Sequence, residues 1–325
     1  MDRLASDILG GNRRALSRAI TLAESTREDH RAQTRDLMAR LTREKREALR
    51  IGLSGTPGVG KSTFIESFGL MLTGLGLRVA VLAVDPSSTR SGGSILGDKT
   101  RMDRLARDPN AFIRPSPSQS HLGGVARRSR EAIAICEAAG FDVILIETVG
   151  VGQSETMVAD MSDLFVLLLA PAGGDELQGV KRGIMEMADL IIVNKSDGDL
   201  AAAAARTQAD YAGALRLLRK RPQDPNGFPK TARVSALLDT GMAEVWHDVT
   251  ILSDWRKANG FWEAGRQKQA VHWFEHETRT SLLAQLSATP EIRAHHDALA
   301  DKVACGELTP EAAAATLLAH LNTPT

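Results

Sequence analysis

Short and almost uninterrupted runs of apolar residues recur along the middle of the chain. The runs show no alternation of apolar and polar side chains, which is typical of strands that are buried on both faces of a parallel sheet. Stretches with helical spacing separate them, and this alternation predicts an α/β fold with a doubly wound, mostly parallel sheet. The predicted strands are 51–54, 78–84, 142–147, 164–170 and 190–194, and the predicted helices between them are 61–74, 123–139, 155–161, 176–187 and 199–220.

The two ends of the chain show helical spacing without such runs. Before the first strand, apolar residues recur at the spacing of one helix face, and after residue 240 four further helices are predicted over 242–257, 262–288, 291–304 and 310–321. We therefore divide the chain into a helical N-terminal extension (1–48), a central domain (49–258) and a helical C-terminal arm (259–325).

The predicted helix over 262–288 carries apolar residues on two sides. Trp262 and Trp273 fall on one side, and the other side carries Val271, Phe274, Leu282 and Leu286. A helix that is apolar on two sides has to be buried on two sides, and its own central domain covers only one. A second copy of the chain is the simplest cover for the other side, so we expect the arm to form a homodimer.

Composition and charge exclude several classes of protein. Forty basic residues balance forty acidic ones, whereas a nucleic-acid-binding protein usually has a basic excess. The longest apolar run, 164–171, is too short to cross a bilayer, and residues 1–25 lack the apolar core of a signal peptide. The two cysteines are too few for a disulfide scaffold or a cysteine-based zinc site. We expect a soluble, cytoplasmic protein that binds neither nucleic acid nor a membrane.

A glycine-rich loop follows the first predicted strand and opens a helix. Residues 55–62 read GTPGVGKS and fit the pattern G-x-x-x-x-G-K-[ST], whose backbone N–H groups surround phosphate oxygens. In this motif the Lys61 side chain is expected to reach the terminal phosphates, and the Ser62 hydroxyl is expected to bind Mg²⁺. The motif therefore predicts a nucleoside triphosphate site, with binding residues Gly55, Pro57, Gly58, Val59, Gly60, Lys61, Ser62 and Thr63.

A second motif indicates which base is bound. Asn194-Lys195-Ser196-Asp197 ends a predicted strand, and a carboxylate there accepts hydrogen bonds from both the ring N–H and the exocyclic amine of guanine. Adenine has no such pair of donors. Asn194 suits the other edge of the base, the Lys195 stem can cover its face, and residues 235–237 (Ser235, Ala236 and Leu237) complete the pocket unless they form only a loop. The sequence thus predicts a GTP/GDP site.

Carboxylates at the ends of strands are candidates for the metal and for hydrolysis. Glu147 begins Glu-Thr-Val-Gly150, in the place of the usual Asp-x-x-Gly, where the Gly150 N–H contacts the γ-phosphate. Asp85 follows another strand, and Asp98 lies shortly after it. Together with Ser62 these acids form the predicted Mg²⁺ ligands. The alternatives are that Asp85 only caps its turn and that Asp98 is an exposed acid.

The residue after Gly150 is Val151, where many small GTPases carry the glutamine that orients the attacking water. We therefore expect slow hydrolysis by the chain alone, with the missing group supplied by a mobile loop or a partner. The segment 172–182 contains a glycine pair followed by Lys181 and Arg182, so Lys181 is a candidate catalytic cation. The alternative is an ordinary loop between a strand and a helix.

Taken together, these motifs resemble the MeaB/ArgK family of G-protein chaperones associated with methylmalonyl-CoA mutase. The long strings 91–102 and 147–155 carry most of the resemblance, which covers nearly the whole chain. It implies a homodimeric P-loop GTPase that gates cofactor loading and protects an adenosylcobalamin-dependent mutase. It also implies that Asp85, Asp98 and Glu147 surround Mg²⁺ and that Arg101 and Lys181 lie in switch segments.

Two other functions stay open at this point. One is a GTPase that delivers a metal ion, although such proteins usually carry Cys/His clusters that this sequence lacks. The other is a phosphotransferase that serves a transport system. The fate of the γ-phosphate separates the phosphotransferase from the GTPase chaperone: a GTPase transfers it to water, and a phosphotransferase transfers it to an acceptor.

Overall fold

Seven parallel strands form one sheet in the computed structural model, which describes residues 1–84, 102–115, 122–148, 154–171, 182–285 and 290–321. Across the sheet the strands follow the order β3-β2-β4-β1-β5-β6-β7, and each described pair of neighbours is parallel. The predicted doubly wound parallel sheet is confirmed. The strands are β1 (Leu49–Gly55), β2 (Val79–Val84), β3 (Ala111–Arg114), β4 (Val143–Thr148), β5 (Leu164–Leu169), β6 (Leu190–Val193) and β7 (Lys230–Arg233).

Helices precede the sheet, connect its strands and follow it. The central ones lie between consecutive strands, as parallel connections require. The helices are α1 (Asp2–Leu9), α2 (Arg13–Glu24), α3 (Glu28–Leu41), α4 (Lys61–Gly74), α5 (Asp103–Arg107), α6 (Leu122–Ala138), α7 (Ser154–Ala159), α8 (Arg182–Met187), α9 (Ala201–Arg216), α10 (Met242–Ala258), α11 (Phe261–Gln285), α12 (Pro290–Ala304) and α13 (Pro310–Leu321).

The inner strands are buried as their apolar sequences predict. Every residue of β4 and β5 is buried, including the polar Glu147 and Thr148 at the end of β4. Helix α4 packs on one face of the sheet through Phe64 and Phe68, whose rings stack with centroids 5.3 Å apart. This packing fixes α4, which begins at Lys61 within the glycine-rich motif.

The N-terminal helices pack against one another and against α6, and side chains link α2 to the edge strand β3. In α2 the five residues with helical spacing, Ala15, Leu16, Ala19, Ile20 and Ala23, are all buried, and the Asn12 side chain caps the helix by accepting from the N–H groups of its first turn. The Arg13 guanidinium donates to the Ala111 carbonyl at the start of β3, 2.6 Å away. Arg114 at the end of β3 pairs with Glu24. The extension is therefore attached to the strand at one edge.

The chain forms two compact units, Met1–Arg266 and Gln267–Thr325. The first unit contains the sheet and the N-terminal helices. The second has its own small core, in which Leu299 of α12 and Leu317 of α13 are buried together with Ala313. The three-part division at residues 48 and 258 stays a prediction. In the part of the chain that the structure describes, none of the helices combines the length and apolar character needed to cross a membrane.

Candidate nucleotide-binding site

The glycine-rich loop between β1 and α4 has a conformation that requires glycine at two positions. Gly58 and Gly60 have φ angles of +80° and +84°, in the left-handed region that other residues rarely adopt. A Cβ on Gly60 would also lie 2.8 Å from the Asn194 amide nitrogen. The two glycines therefore let the backbone curl at the end of β1 and bring it close to the loop that follows β6.

Helix α4 begins with N–H groups that no side chain caps. Its N-cap residue is Gly60, and no side-chain hydrogen bond closes the first turn. The first N–H groups of a helix have no partner within the helix, and the partial positive charge there attracts anions. In this segment Val59 is buried, Ser62 is half-buried, and Pro57 and Thr63 are exposed. The arrangement suits phosphate oxygens bound by backbone N–H groups.

The Lys61 ammonium lies across the glycine-rich loop toward the end of β4. It donates to the Gly55 carbonyl at 3.4 Å and to the Thr148 hydroxyl at 3.3 Å. Thr148 in turn donates to the Ser54 hydroxyl, also at 3.3 Å. The sequence did not indicate a role for either hydroxyl, because Ser and Thr at strand ends carry no distinctive pattern. A lysine ammonium that lies across this loop is placed to reach phosphate oxygens bound at the start of α4.

Asn194 joins the glycine-rich loop to residue 236, in the segment that follows β7. It is buried directly after β6, its amide nitrogen donates to the Val59 carbonyl at 2.9 Å, and its amide oxygen accepts from the Ala236 N–H at 3.0 Å. The sequence assigned this residue to an edge of the base. The structure shows a bridging role that the linear motif does not reveal.

The next residues of the motif contact the glycine-rich loop and Ser235, which follows β7. Lys195 has a φ of +59°, and its ammonium donates to the Gly58 carbonyl at 2.7 Å, so its stem lies along the phosphate-binding loop. The half-buried Asp197 carboxylate accepts from the Ser235 hydroxyl at 2.5 Å, and no further hydrogen bond to it occurs among the described residues. Carboxylate oxygens accept several hydrogen bonds, so Asp197 can still receive the two donors of guanine.

Residues 235–240 form a closed loop after β7. Ser235 and Thr240 exchange two backbone hydrogen bonds, of 3.1 and 3.0 Å. Ala236 is buried inside the loop, whereas the Leu237 side chain is 76% exposed. Because β6 and β7 are neighbours, this loop and the segment after β6 meet at the same edge of the sheet. The residues predicted for the base therefore do come together.

Of the predicted acids, the structure describes Glu147. It lies near the end of β4, is buried, and is in register with Leu53 of β1, two residues before the glycine-rich loop begins. Asp85, Asp98, Gly150 and Lys181 lie outside the described residues, as do Arg101 and Val151 and the side chain of Arg182. Within the described ranges, no three His, Cys, Asp or Glu side chains gather as metal ligands do. The assignment of Mg²⁺ ligands remains a prediction.

The buried cysteine takes no part in this site. Burial raises the pKa of the Cys136 thiol far above its usual value, with a smaller contribution from the neighbouring Glu137 carboxylate. A thiol that stays protonated is a poor nucleophile and a poor metal ligand. This agrees with the sequence, in which no motif assigns Cys136 a function.

Comparison with known proteins gives a family match over most of the chain. The model of the family described as "Methylmalonyl Co-A mutase-associated GTPase MeaB" matches residues 16–291. A mouse protein named "Methylmalonic aciduria type A homolog, mitochondrial" is 50% identical over 328 residues, covering 98% of this chain and 79% of the mouse protein. The "GTPase ArgK" of Escherichia coli K12 is 47% identical over 282 residues, covering 87% and 85%.

A solved structure supports the same relationship. The chain is similar to a crystal structure of a protein named "LAO/AO transport system kinase", with a TM-score of 0.76 and 37% sequence identity. The match covers 99% of this chain and 97% of the other. The likeness thus extends beyond the sheet to nearly the full length of both proteins.

Proposed function

Because the chain belongs to the MeaB family of methylmalonyl-CoA mutase-associated GTPases, we propose that it is a GTP-hydrolysing chaperone of an adenosylcobalamin-dependent methylmalonyl-CoA mutase. In this role it gates the loading of the cofactor and protects the mutase from inactivation. The family match over residues 16–291 is the observation that carries the proposal. We also propose that it works in the cytoplasm.

GTP hydrolysis itself follows from the family and from the fold. In the proposed mechanism, Asp197 selects guanine, and the N–H groups at the start of α4 hold the phosphates. The Lys61 ammonium neutralises the charge that develops as the γ-phosphate leaves, which is the main contribution a protein makes to phosphoryl transfer. Asn194 keeps the two halves of the site in register, since its amide contacts both loops.

Ser62 and Glu147 have side chains of the kind that bind Mg²⁺. The Ser62 hydroxyl is half-buried in the first turn of α4, and the buried Glu147 carboxylate belongs to the strand next to β1. Oxygen donors of this kind are what Mg²⁺ prefers. We propose that Ser62, Asp85, Asp98 and Glu147 hold the ion directly or through water, and that it neutralises phosphate charge when bound.

We propose that the mutase accelerates a slow basal hydrolysis. A cation brought to the phosphates raises such rates by roughly 10³–10⁵-fold when fully engaged, and Lys181 is the candidate. GTP turnover is measured with and without purified methylmalonyl-CoA mutase, for the parent chain and for Lys181→Ala. We expect strong stimulation of the parent and much weaker stimulation of the variant.

Two results would contradict parts of this proposal. Equal stimulation of both proteins would remove Lys181 from the mechanism. A parent chain that the mutase does not stimulate, and that does not prolong mutase activity during turnover, would remove the chaperone function. Neither result would affect GTP binding, which is measured separately.

The name of the protein in the similar crystal structure supports one alternative, a kinase that serves a transport system. A kinase transfers the γ-phosphate to an acceptor, whereas a GTPase transfers it to water. Following ³²P from labelled GTP distinguishes the two. Release of all the label as inorganic phosphate supports the GTPase, and label on a protein or small-molecule acceptor supports the kinase.

We further propose that α11 forms a homodimer. Val271, Phe274 and Leu282 on this helix are 59%, 71% and 57% exposed, although all three are large and apolar. Neighbouring exposed apolar residues of this size mark an interaction surface. At the start of α11, by contrast, Trp262 is buried and contacts the Arg266 guanidinium and the Lys257 ammonium.

Placing charge on the exposed apolar stripe should separate the dimer. We expect the double variant Val271→Asp/Phe274→Asp to have the mass of a monomer by light scattering, at concentrations where the parent has the mass of a dimer. Leu75→Asp is the control, because Leu75 is also 59% exposed but lies at the end of α4. A double variant that keeps the parent mass would contradict the assignment.

A further inference from the structure

A buried hydroxyl on α4, the helix proposed to bind the phosphates, contacts residues 235–240, which we call the base-binding loop. The Ser67 hydroxyl of α4 donates to an Asp239 carboxylate oxygen at 2.6 Å, across 172 positions of sequence. Ser67 is 5% exposed, and it lies less than two turns beyond Lys61 on the same helix. Asp239 itself is exposed, so the bond lies where α4 meets the surface. Hydrogen bonds to a charged acceptor are shorter and stronger than those between neutral groups.

Asp239 has an uncommon backbone conformation. Its φ is +54°, in the left-handed region that Asp and Asn adopt more easily than most residues because their short polar side chains can make hydrogen-bond contacts. The bond to Ser67 supplies such a contact. The tip of the loop is therefore fixed to α4 by a side chain and not only by its own turn.

The same loop fixes the orientation of the Asp197 carboxylate, which is proposed to read the base. The backbone pairing of Ser235 with Thr240 closes the loop directly next to Asp239. The Ser235 hydroxyl donates to Asp197, and it accepts from the Leu238 N–H at 3.2 Å. A shift of the loop would move the Ser235 hydroxyl and so turn the Asp197 carboxylate.

We propose that Ser67 is a positioning residue for guanine recognition. Acting through Asp239 and the closed loop, it holds Ser235, and through Ser235 the Asp197 carboxylate, at a fixed place relative to the helix that binds the phosphates. This inference rests on the proposed role of Asp197 in reading guanine. Ser67 itself need not touch the nucleotide.

The test compares the binding of GTP and ITP, which lacks the 2-amino group of guanine. Dissociation constants are measured for both nucleotides with the full chain and with Ser67→Ala. We expect Ser67→Ala to bind GTP about tenfold more weakly, a loss of about 1.4 kcal/mol. ITP binding should weaken less, because ITP makes only one of the two hydrogen bonds to Asp197. The preference for GTP over ITP therefore falls, and Ser67→Thr, which keeps the hydroxyl, restores it.

The same helix provides a matched control. The Thr73 hydroxyl donates to the Asp108 carboxylate, also at 2.6 Å, and Thr73 is 7% exposed. This bond holds the far end of α4 and does not reach the base-binding loop. Thr73→Val should therefore lower the unfolding temperature as Ser67→Ala does, yet keep the parent preference for GTP over ITP.

Other binding results would contradict the proposal. If Ser67→Ala keeps the parent affinity, or weakens GTP and ITP equally, the bond serves only stability. If Ser67→Ala does not fold, Asp239→Gly replaces it, since Gly adopts the left-handed backbone and removes the acceptor of the hydrogen bond. An unchanged preference for GTP over ITP in that variant would overturn the inference. A parent chain that binds GTP and ITP equally would instead overturn the guanine-reading role of Asp197.

Discussion

The Lys61→Ala variant should hydrolyse GTP roughly 10²–10³-fold more slowly, or slower still. The variant lacks the preorganised positive charge that stabilises the negative charge developing on the phosphate in the transition state. The fold should stay intact. The hydrogen bonds of the ammonium to Gly55 and Thr148 are 3.4 and 3.3 Å long, and the side chain is half-buried at the surface of the loop. Turnover is measured as phosphate release, and folding by circular dichroism.

Lys220→Ala serves as the control for this variant, because Lys220 is an exposed lysine beyond the end of α9. It should keep the parent turnover. Loss of the folded spectrum in Lys61→Ala would show that the lysine has a structural role. Turnover close to that of the parent would show that hydrolysis does not depend on the glycine-rich motif.

The sequence predicted those strands whose burial leaves a trace in composition. β4 and β5 are buried on both faces, and their sequences are continuous apolar runs that locate them within a residue or two. The edge strand β3 was not predicted, because four residues at the margin of a sheet need no long apolar run. The opposite edge strand β7 is only half-buried and has a basic residue at each end, so it also lacks a continuous apolar run.

The site was predictable where the chemistry depends on consecutive residues. The glycine-rich loop and the motif around Asp197 each form one local turn, so their spacing alone identifies them. Contacts between distant segments were not predictable. The bridge from Asn194 to Val59 and the bond from Ser67 to Asp239 join residues 135 and 172 positions apart, and either residue type would be ordinary in its own segment.

The specificity of the base pocket leads to the second large effect. Asp197→Asn should weaken GTP binding by about 10²-fold or more, since two hydrogen bonds to a charged group, each worth about 1.5–3 kcal/mol, are lost or weakened. Binding of xanthosine triphosphate should improve, because its additional carbonyl needs a donor and the Asn amide supplies one. The variant should fold normally, because the amide oxygen can still accept from the Ser235 hydroxyl that contacts Asp197.

Competition of GTP, xanthosine triphosphate and ATP for a labelled guanine nucleotide measures this change directly. Asp199→Asn is the matched control: it removes the same charge from an exposed carboxylate two residues further along, so it separates the effect of one carboxylate from that of local charge. We expect Asp199→Asn to keep the parent preference for GTP.

If Asp197→Asn also keeps the parent preference for GTP, or if ATP competes with GTP equally in the parent chain, the Asp197 carboxylate does not read the base. Selectivity would then have to come from other groups of the protein. A reversal of preference confined to Asp197→Asn would assign the discrimination to this side chain, because among the changes compared only Asp197→Asn replaces an acceptor in the pocket by a donor.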